Sequence, residues 1–201
     1  MHRHLVLALV VVLTLVGGTV AQADTISLVG DKDCFGLGGP CPDGTLWRDG
    51  LGGTFFTSNR TPGDPLYTDE WASFGSVSYT HSYVLAGIPT SALLDLRIAG
   101  IHDILHLVDY HVLFNGVSVG LIPPNGAASA FQEVLTYSFA VPTGLLTGND
   151  VVSWSSGPGG DGYSIDFSQL SVQTAPVPEP ASLLLFGTGL IGLRAWRKRR
   201  Q

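Results

Sequence analysis

The sequence predicts an all-β domain, an antiparallel β-sandwich of jelly-roll-like topology, and three observations favour this fold class. Short segments alternate apolar and polar residues with the two-residue period of a half-buried strand. Glycine and proline, with 26 and 12 residues, separate these segments as turn formers. Between residues 24 and 176, no long segment shows the 3.6-residue period of an amphipathic helix. A run of short strands in a chain of this length is typical of a two-sheet sandwich.

The first segment, residues 1–23, is predicted to be a signal peptide outside that domain. It opens with Arg3, continues with an apolar core over 5–16 and ends in Ala21-Gln22-Ala23, a small-x-small cleavage pattern. The predicted mature chain starts at Asp24, and the β-sandwich domain is predicted over 24–176.

The most regular strands lie in the middle of the chain. Val77, Tyr79 and His81 alternate with serine and threonine, and Leu94 and Leu96 alternate with charged residues. Further strands are predicted near 108–114, 117–121, 135–141, 151–155 and 163–172. A break in the alternation at Ser168-Gln169 predicts a β-bulge in the last strand.

Asn115-Gly116 predicts a tight hairpin, because this dipeptide suits a two-residue turn. The predicted pairs are Phe114 with Val117, Val112 with Val119 and Tyr110 with Leu121. This register sets apolar residues opposite apolar residues on one face.

The charge of the domain excludes one class of partner. Residues 24–176 hold 15 acidic and four basic residues, a formal charge near −11. A domain without a basic patch is not expected to bind nucleic acid. The acidity suits an extracellular protein and also suits divalent cations.

Two cysteines, Cys34 and Cys41, flank a glycine-rich loop. In an exported protein such a pair predicts one structural disulfide. The alternative, a redox or metal-binding pair, is disfavoured because the spacing is not Cys-x-x-Cys and no second pair exists.

Acidic residues near both ends of the domain suggest a calcium site. Asp31 and Asp33 lie near the predicted mature start, and Asp161 and Asp166 lie near the end of the domain, so the four could meet if the first and last strands were neighbours. The alternative is a set of solvated turn aspartates.

A second polar cluster runs from 101 to 111 and contains His102, Asp103, His106, Asp109 and His111. These residue types bind transition metals, but they are also ordinary in a loop followed by a solvated strand face, which we favour.

No catalytic motif is present in the sequence, and the chain is predicted not to be an enzyme, with no catalytic residues. Trp47 and Trp71 lie in turn-rich segments, where they could stack on sugar rings or plug one end of the sandwich.

The last 25 residues, 177–201, form the most specific pattern in the chain. Val177, Pro178, Glu179 and Pro180 make an extended tetrapeptide, followed by an uncharged run over 181–193 and an arginine-rich tail. Even if it is extended to Trp196, the run is shorter than the roughly 20 residues of a stable membrane span. A transient membrane segment over 181–196 is predicted.

This order of parts resembles the PEP-CTERM sorting signal. The resemblance implies a partner, the membrane enzyme exosortase, that cuts near the Pro-Glu-Pro and passes the protein to the cell surface or exterior. Such systems belong to Gram-negative bacteria that make extracellular polysaccharide. The alternative is an ordinary C-terminal membrane anchor.

The second half of the domain is similar to galactose-binding-like jelly rolls. The likeness rests on Asp109-Tyr-His-Val-Leu-Phe-Asn-Gly-Val-Ser-Val-Gly120, Leu145-Leu-Thr-Gly-Asn-Asp-Val-Val152 and Gly160-Asp-Gly-Tyr-Ser-Ile-Asp-Phe-Ser-Gln-Leu170. The resemblance implies carbohydrate binding at strand-end loops and a structural calcium.

Two hypotheses about function follow from the sequence. The first is a non-catalytic carbohydrate-binding module on the cell surface or in a biofilm matrix, with Trp47 and Trp71 as ligand residues. The second is a purely structural acidic matrix protein without a specific ligand.

Overall fold

The computed structural model describes residues 24–38, 42–45, 60–64, 68–70, 76–100, 110–122, 133–155, 163–175 and the two glycines Gly187 and Gly189. Residues 24–174 form one compact unit. In the part of the chain so described, no helix is both long and apolar enough to cross a bilayer. The predicted signal peptide lies outside the described residues, and so does the predicted membrane segment except for those two glycines.

Eight strands make up the described core of this unit. They are β1 (Asp24–Gly30), β2 (Ser76–Ser82), β3 (Pro89–Gly100), β4 (Tyr110–Phe114), β5 (Val117–Ile122), β6 (Val134–Ala140), β7 (Asn149–Ser155) and β8 (Tyr163–Thr174). A single 3-10 turn, Thr143–Leu145, precedes β7. The strands form two four-stranded antiparallel sheets, ordered β1-β8-β3-β6 and β2-β7-β4-β5.

The pairing follows a simple rule, in which the first strand pairs with the last, the second with the seventh, the third with the sixth and the fourth with the fifth. This order results when one long antiparallel hairpin wraps into two facing sheets, as in a jelly roll. The predicted all-β sandwich of jelly-roll-like topology is therefore confirmed. The rule also makes β1 and β8 neighbours, which brings both ends of the domain together.

The core lies between the two sheets and follows the predicted alternation. Val77 and Tyr79 of β2 are buried, as are Leu94, Leu96 and Ile98 of β3, while the residues between them on β2 face solvent. Burial of these side chains on folding contributes about 1.5–3 kcal/mol for each large aliphatic or aromatic group.

One polar side chain lies among these apolar groups and links the two sheets. His81 of β2 is fully buried, with Nδ1 3.1 Å from the hydroxyl of Ser27 on β1 and Nε2 2.9 Å from that of Ser168 on β8. Burial lowers the pKa of His81 to about 4. The neutral ring accepts a hydrogen bond from one hydroxyl and donates one to the other.

The β4–β5 hairpin has the predicted turn. Asn115 and Gly116 both have positive φ, 51° and 80°, as a type I′ turn requires. Phe114 pairs with Val117, which confirms the first predicted pair.

Beyond that pair, the predicted register is wrong by one residue. The observed partners of Val112 and Tyr110 are Gly120 and Ile122, not the predicted Val119 and Leu121. A β-bulge after the first two pairs adds one residue to β5, which brings Ile122 into the core at 0% exposure.

The last strand also contains a bulge, but not at the predicted Ser168-Gln169. Arg97 of β3 pairs with Phe167, while the next residue, Ile98, pairs with Ile165, so Asp166 is the extra residue. The bulge therefore places an acidic residue out of the regular alternation in a strand that is paired on both sides.

Candidate metal centre

Four aspartates converge at the end of the sandwich where β1 meets β8. Asp31 and Asp33 follow β1, Asp166 is the bulged residue of β8, and Asp69 belongs to the long connection between β1 and β2. One carboxylate oxygen of each lies within 4.8 Å of the others. Asp31 and Asp33 are half-buried, and Asp69 and Asp166 are buried. We call these four residues the carboxylate cluster.

Asp166 is fixed in the cluster by the backbone around it. The bulge removes its side chain from the strand alternation, and the backbone N–H of Phe35 donates a 2.8 Å hydrogen bond to its Oδ1. A donor held by the backbone orients this carboxylate more firmly than a flexible side chain would.

The loop after β1 is shaped by a left-handed turn. Cys34, Phe35 and Gly36 have φ of 65°, 58° and 73°, which aligns successive N–H groups toward the cluster. The N–H of Gly36 donates to Oδ1 of Asp33 at 2.6 Å. Because non-glycine residues rarely adopt positive φ, the contacts of this loop must offset a cost of roughly 1–3 kcal/mol per residue.

Burial of two side chains of this loop offsets part of the cost of its positive φ angles. Cys34 and Phe35, at 2% and 0% exposure, pack with Ala99 and Val134 in a small cluster apart from the main core. The loop is thus anchored on β3 and β6, and its polar side faces the aspartates.

Asp69 is brought in by tertiary pairing. Thr68 forms a parallel bridge with Ile165, and the N–H of Asp69 donates to the carbonyl of Ile165 at 2.8 Å. The side chain of Asp69 is 0% exposed, and neither carboxylate oxygen has a hydrogen-bond partner among the described residues.

Gly30 allows these segments to approach one another. It ends β1 with φ of +73°, and a Cβ at this position would lie 2.6 Å from the carbonyl oxygen of Asp166 and 2.9 Å from Cγ2 of Thr68. A larger residue could not occupy this position without moving the backbone.

One guanidinium lies beside the cluster. Arg97 Nε is 3.6 Å from Oδ2 of Asp166, and Arg97 Nη1 is 3.0 Å from Oδ1 of Asp43. Nη1 also donates to the hydroxyl of Thr136 at 2.9 Å. Arg97 therefore divides its positive charge between two carboxylates and reaches only one member of the cluster within ion-pair distance.

The carboxyl groups of Asp31, Asp69 and Asp166 are harder to ionise than ordinary aspartates, because the pKa of each is raised. Burial, followed by the charges of Asp33 and Asp31, raises the pKa of Asp69 to about 8. Burial raises the pKa of Asp166 to about 6, against the hydrogen bond it receives and the charge of Arg97. Burial, and next the hydrogen bond with Asp33, raises the pKa of Asp31.

This donor set fits a hard divalent cation. The cluster consists of carboxylate oxygens without cysteine or histidine, which is the ligand chemistry of calcium rather than of zinc or copper. A buried carboxylate without a donor costs several kcal/mol, and a cation would remove that cost for Asp69. Backbone carbonyls and water would complete the six to eight oxygens that calcium takes.

The structure places the predicted calcium ligands unequally. Asp31, Asp33 and Asp166 meet, as the neighbouring first and last strands suggested, while Asp161 lies outside the described residues. Asp69 was not among the predicted ligands, and its only signal in the sequence is an acidic pair, Asp69-Glu70, in a turn-rich stretch.

The other predicted site residues are mostly outside the described part of the chain. This holds for Trp47, Trp71, Cys41 and the sorting residues 177–180. Cys34 is buried, and its disulfide with Cys41 stays a prediction.

The histidine-rich segment 101–109 is likewise not described. His111 is exposed, with Nδ1 3.3 Å from the hydroxyl of Ser118. That position suits the solvated strand face that the sequence favoured.

Comparison with solved structures finds similarity to carbohydrate-active proteins. The chain is similar to BuGH86 in complex with neoagarooctaose, at 22% identity and a TM-score of 0.38, over 54% of this chain and 18% of that one. It is also similar to the CBM36-1 domain of a multidomain xylanase from the hindgut metagenome of Trinervitermes trinervoides, at 17% identity and a TM-score of 0.35, over 77% of this chain and 100% of that domain. With TM-scores below 0.5, these similarities identify neither a ligand nor an activity for this chain. No curated protein matches it.

Comparison with family models finds a match at the C-terminal end. Residues 176–200 match the PEP-CTERM protein-sorting motif, where the sequence shows Val-Pro-Glu-Pro, a short apolar run and an arginine cluster. The motif implies an exported protein that passes through the membrane to the cell surface. The chain therefore carries a PEP-CTERM protein-sorting motif at residues 176–200.

Proposed function

We propose that the chain is an exported, exosortase-sorted surface or extracellular-matrix protein whose β-sandwich holds a calcium ion and binds extracellular polysaccharide without catalysing a reaction. The sorting motif supports the route to the surface. The observation that carries the calcium assignment is Asp69, a fully buried carboxylate that faces three others with no donor to either oxygen among the described residues.

Charge balance supports a cation in the carboxylate cluster. When all four aspartates are ionised, the cluster carries a charge of −4, and Arg97 reaches only one of them within 4 Å. Like charges at this separation repel strongly in a partly buried site. A divalent cation offsets half of that charge and ligates the oxygens that no protein group satisfies.

Polysaccharide binding rests on a separate set of features. The sorting motif resembles signals of bacteria that produce extracellular polysaccharide, and the turn-rich segments carry Trp47 and Trp71, whose rings would stack on sugar faces. These two tryptophans are the proposed ligand residues.

The alternative function is that of a purely structural matrix protein. The acidic composition of residues 24–176, with 15 acidic and four basic residues, supports it. In this alternative, the acidic surface keeps the protein soluble among polysaccharides without a specific ligand.

Affinity electrophoresis of the full-length chain in mild detergent separates the two functions. Native gels containing neutral or acidic polysaccharides, each with calcium or with EDTA, are expected to retard the protein. The retardation should be lost in Trp47→Ala or Trp71→Ala. Val84→Ala, which trims an apolar side chain that is 83% exposed, is the matched control and should migrate like the unmodified chain. Equal mobility with and without every polysaccharide would leave the structural function.

The sorting step has its own test. Intact-mass analysis of the protein recovered from its native cells should show cleavage near Pro178-Glu179-Pro180, with the segment 181–201 removed. Recovery of the mature protein with Trp196 and the arginines attached would contradict exosortase processing.

A further inference from the structure

The connection between β1 and β2 runs from residue 31 to residue 75, and its described parts are attached to the sandwich in different ways. Near its start, Cys34 and Phe35 are buried against Ala99 and Val134. Farther on, the N–H of Gly44 donates to the carbonyl of Val134 at 2.9 Å, and the N–H of Val134 donates to the carbonyl of Thr45 at 2.8 Å. The apolar contacts of Cys34 and Phe35 and the hydrogen bonds with Val134 involve no carboxylate of the cluster, although the N–H of Phe35 also donates to Asp166.

The described segment 68–70 is attached in another manner. It pairs with β8 through the bridge of Thr68 to Ile165 and the backbone hydrogen bond from the N–H of Asp69 to the carbonyl of Ile165. Its next group, the side chain of Asp69, is turned into three other carboxylates at 0% exposure. When the aspartates are ionised, the contact that holds this segment against the sandwich is therefore repulsive unless a cation lies between them.

Calcium sites in extracellular modules commonly have dissociation constants of roughly 10⁻⁴–10⁻³ M. Such a site is filled outside the cell and empty where free calcium is scarce. Regions that carry few apolar contacts open at low free energy, and a ligand that binds only the closed form suppresses that opening.

We propose that a divalent cation in the carboxylate cluster holds Thr68–Glu70 on β8, so that closing of this end of the domain depends on the calcium concentration. This inference rests on the proposed cation binding and states what that binding does to the segment 68–70. The described segments 34–38 and 42–45 stay in place without the cation, because Cys34 and Phe35 are buried against β3 and β6 and Gly44 and Thr45 are hydrogen-bonded to Val134. The segment 68–70 opens without it and leaves the β8 bulge exposed.

Hydrogen exchange of the full-length chain, followed by mass spectrometry with calcium or EDTA, tests the proposal at pH 9. If the dissociation constant is about 10⁻⁴ M, about 1 mM calcium should slow exchange of the peptide containing Asp69 roughly tenfold. The β4–β5 hairpin, which has no contact with the cluster, should exchange at the same rate in both buffers.

Two variants make the result specific. Asp69→Asn keeps the shape of the side chain but removes a charged ligand, and its segment should exchange at the same rate in calcium as in EDTA. Asp95→Asn is the matched control, because Asp95 accepts a hydrogen bond from Ser138 on the same sheet, away from the cluster, and it should behave like the unmodified chain.

The outcomes separate the inference from the function on which it rests. No binding of calcium, measured by calorimetry on the same sample, would overturn both. Binding of calcium with unchanged exchange of the 68–70 segment would overturn only the inference that the cation holds this segment on β8. An equal slowing of that segment and of the hairpin would also overturn it, since the cation would then stabilise the whole domain uniformly.

Discussion

The backbone N–H of Phe35 donates a 2.8 Å hydrogen bond to Oδ1 of Asp166, whose other oxygen lies 3.6 Å from Arg97 Nε. Both oxygens of Asp166 thus face a positive or donating group, while neither oxygen of Asp69 has a donor among the described residues. Asp166 can be held in place by the protein alone, whereas Asp69 requires a cation or a proton. The proposed binding of a cation by the carboxylate cluster therefore depends most on Asp69.

The substitution Asp69→Asn should stabilise the protein in the absence of calcium and destabilise it in the presence of calcium. In EDTA at pH 8, Asp69→Asn should raise the melting temperature, because it removes a buried charge that repels its neighbours. A gain of 1 kcal/mol corresponds to about 2–4 °C in a domain of this size. In calcium the same variant should melt lower than the unmodified chain, since a ligand is lost.

Differential scanning calorimetry in both buffers measures this reversal, with Asp95→Asn as the control. A loss of stability of equal size in EDTA and in calcium would show that Asp69 serves packing instead.

The cation-free protein should lose stability as the pH rises. The folded-state pKa values of Asp69 and Asp166, about 8 and about 6, lie above the ordinary value of 3.8. The folded chain therefore binds more protons than the unfolded chain between these pKa values. The stability that the two carboxyl groups contribute is complete below about pH 4 and is lost as the pH rises to about 8. Melting curves in EDTA between pH 5 and pH 8 should show this fall, and saturating calcium should flatten it. A melting temperature in EDTA that rises from pH 6 to pH 8 would contradict the pKa assignments.

A methyl group at Gly30 should damage the cluster without removing a ligand. Gly30→Ala places its Cβ against the backbone of Asp166 and the side chain of Thr68, and it also strains a positive φ. We expect calcium affinity to fall at least about tenfold, which is 1.4 kcal/mol of binding free energy.

Gly38→Ala provides the control for strain. Gly38 has φ of +69°, but no atom lies within 4 Å of its would-be Cβ. Its cost should be limited to the backbone strain, and calcium binding should be retained. Equal affinities of the two variants would mean that close packing at Gly30 does not shape the site.

The stability that His81 contributes should fall as the pH is lowered, which is opposite to the effect of Asp69 and Asp166. Its folded pKa, about 4, lies below the ordinary 6.5, so the unfolded chain binds more protons and stability falls as the pH drops from 6.5 to 4. His81→Gln, which keeps hydrogen-bonding groups near Ser27 and Ser168, should cost about 1–3 kcal/mol at pH 7.

The difference between the melting temperatures of the unmodified chain and this variant should narrow as the pH falls from 6.5 to 4. His111→Gln, at an exposed position, should show no such difference. A gap that stays constant over this range would contradict a buried neutral His81.

Much of the fold could be predicted because strand alternation is a local signal. The burial of Val77, Tyr79 and His81 on one face follows directly from their spacing, and Asn115-Gly116 specifies its own turn. The register beyond the turn could not be predicted. A bulge depends on what packs above it, here the ring of Phe139 against Gly120, where a Cβ would collide with the ring.

The site was predictable only in part for the same reason. Asp31 and Asp33 follow a strand and Asp166 lies in one, so the pairing of first and last strands places them together. Asp69 lies in a connection without periodicity, and only its tertiary pairing with Ile165 brings it into the cluster. The partners of His81 on β1 and β8 are equally remote in sequence.

Isothermal titration of the full-length, EDTA-stripped chain with calcium tests the central claim most directly. We predict saturable binding, a dissociation constant in the submillimolar range or below, and loss of that binding in Asp69→Asn but not in Asp95→Asn. Absence of saturable heat from the unmodified chain, with no shift in its melting temperature at millimolar calcium, would contradict the account.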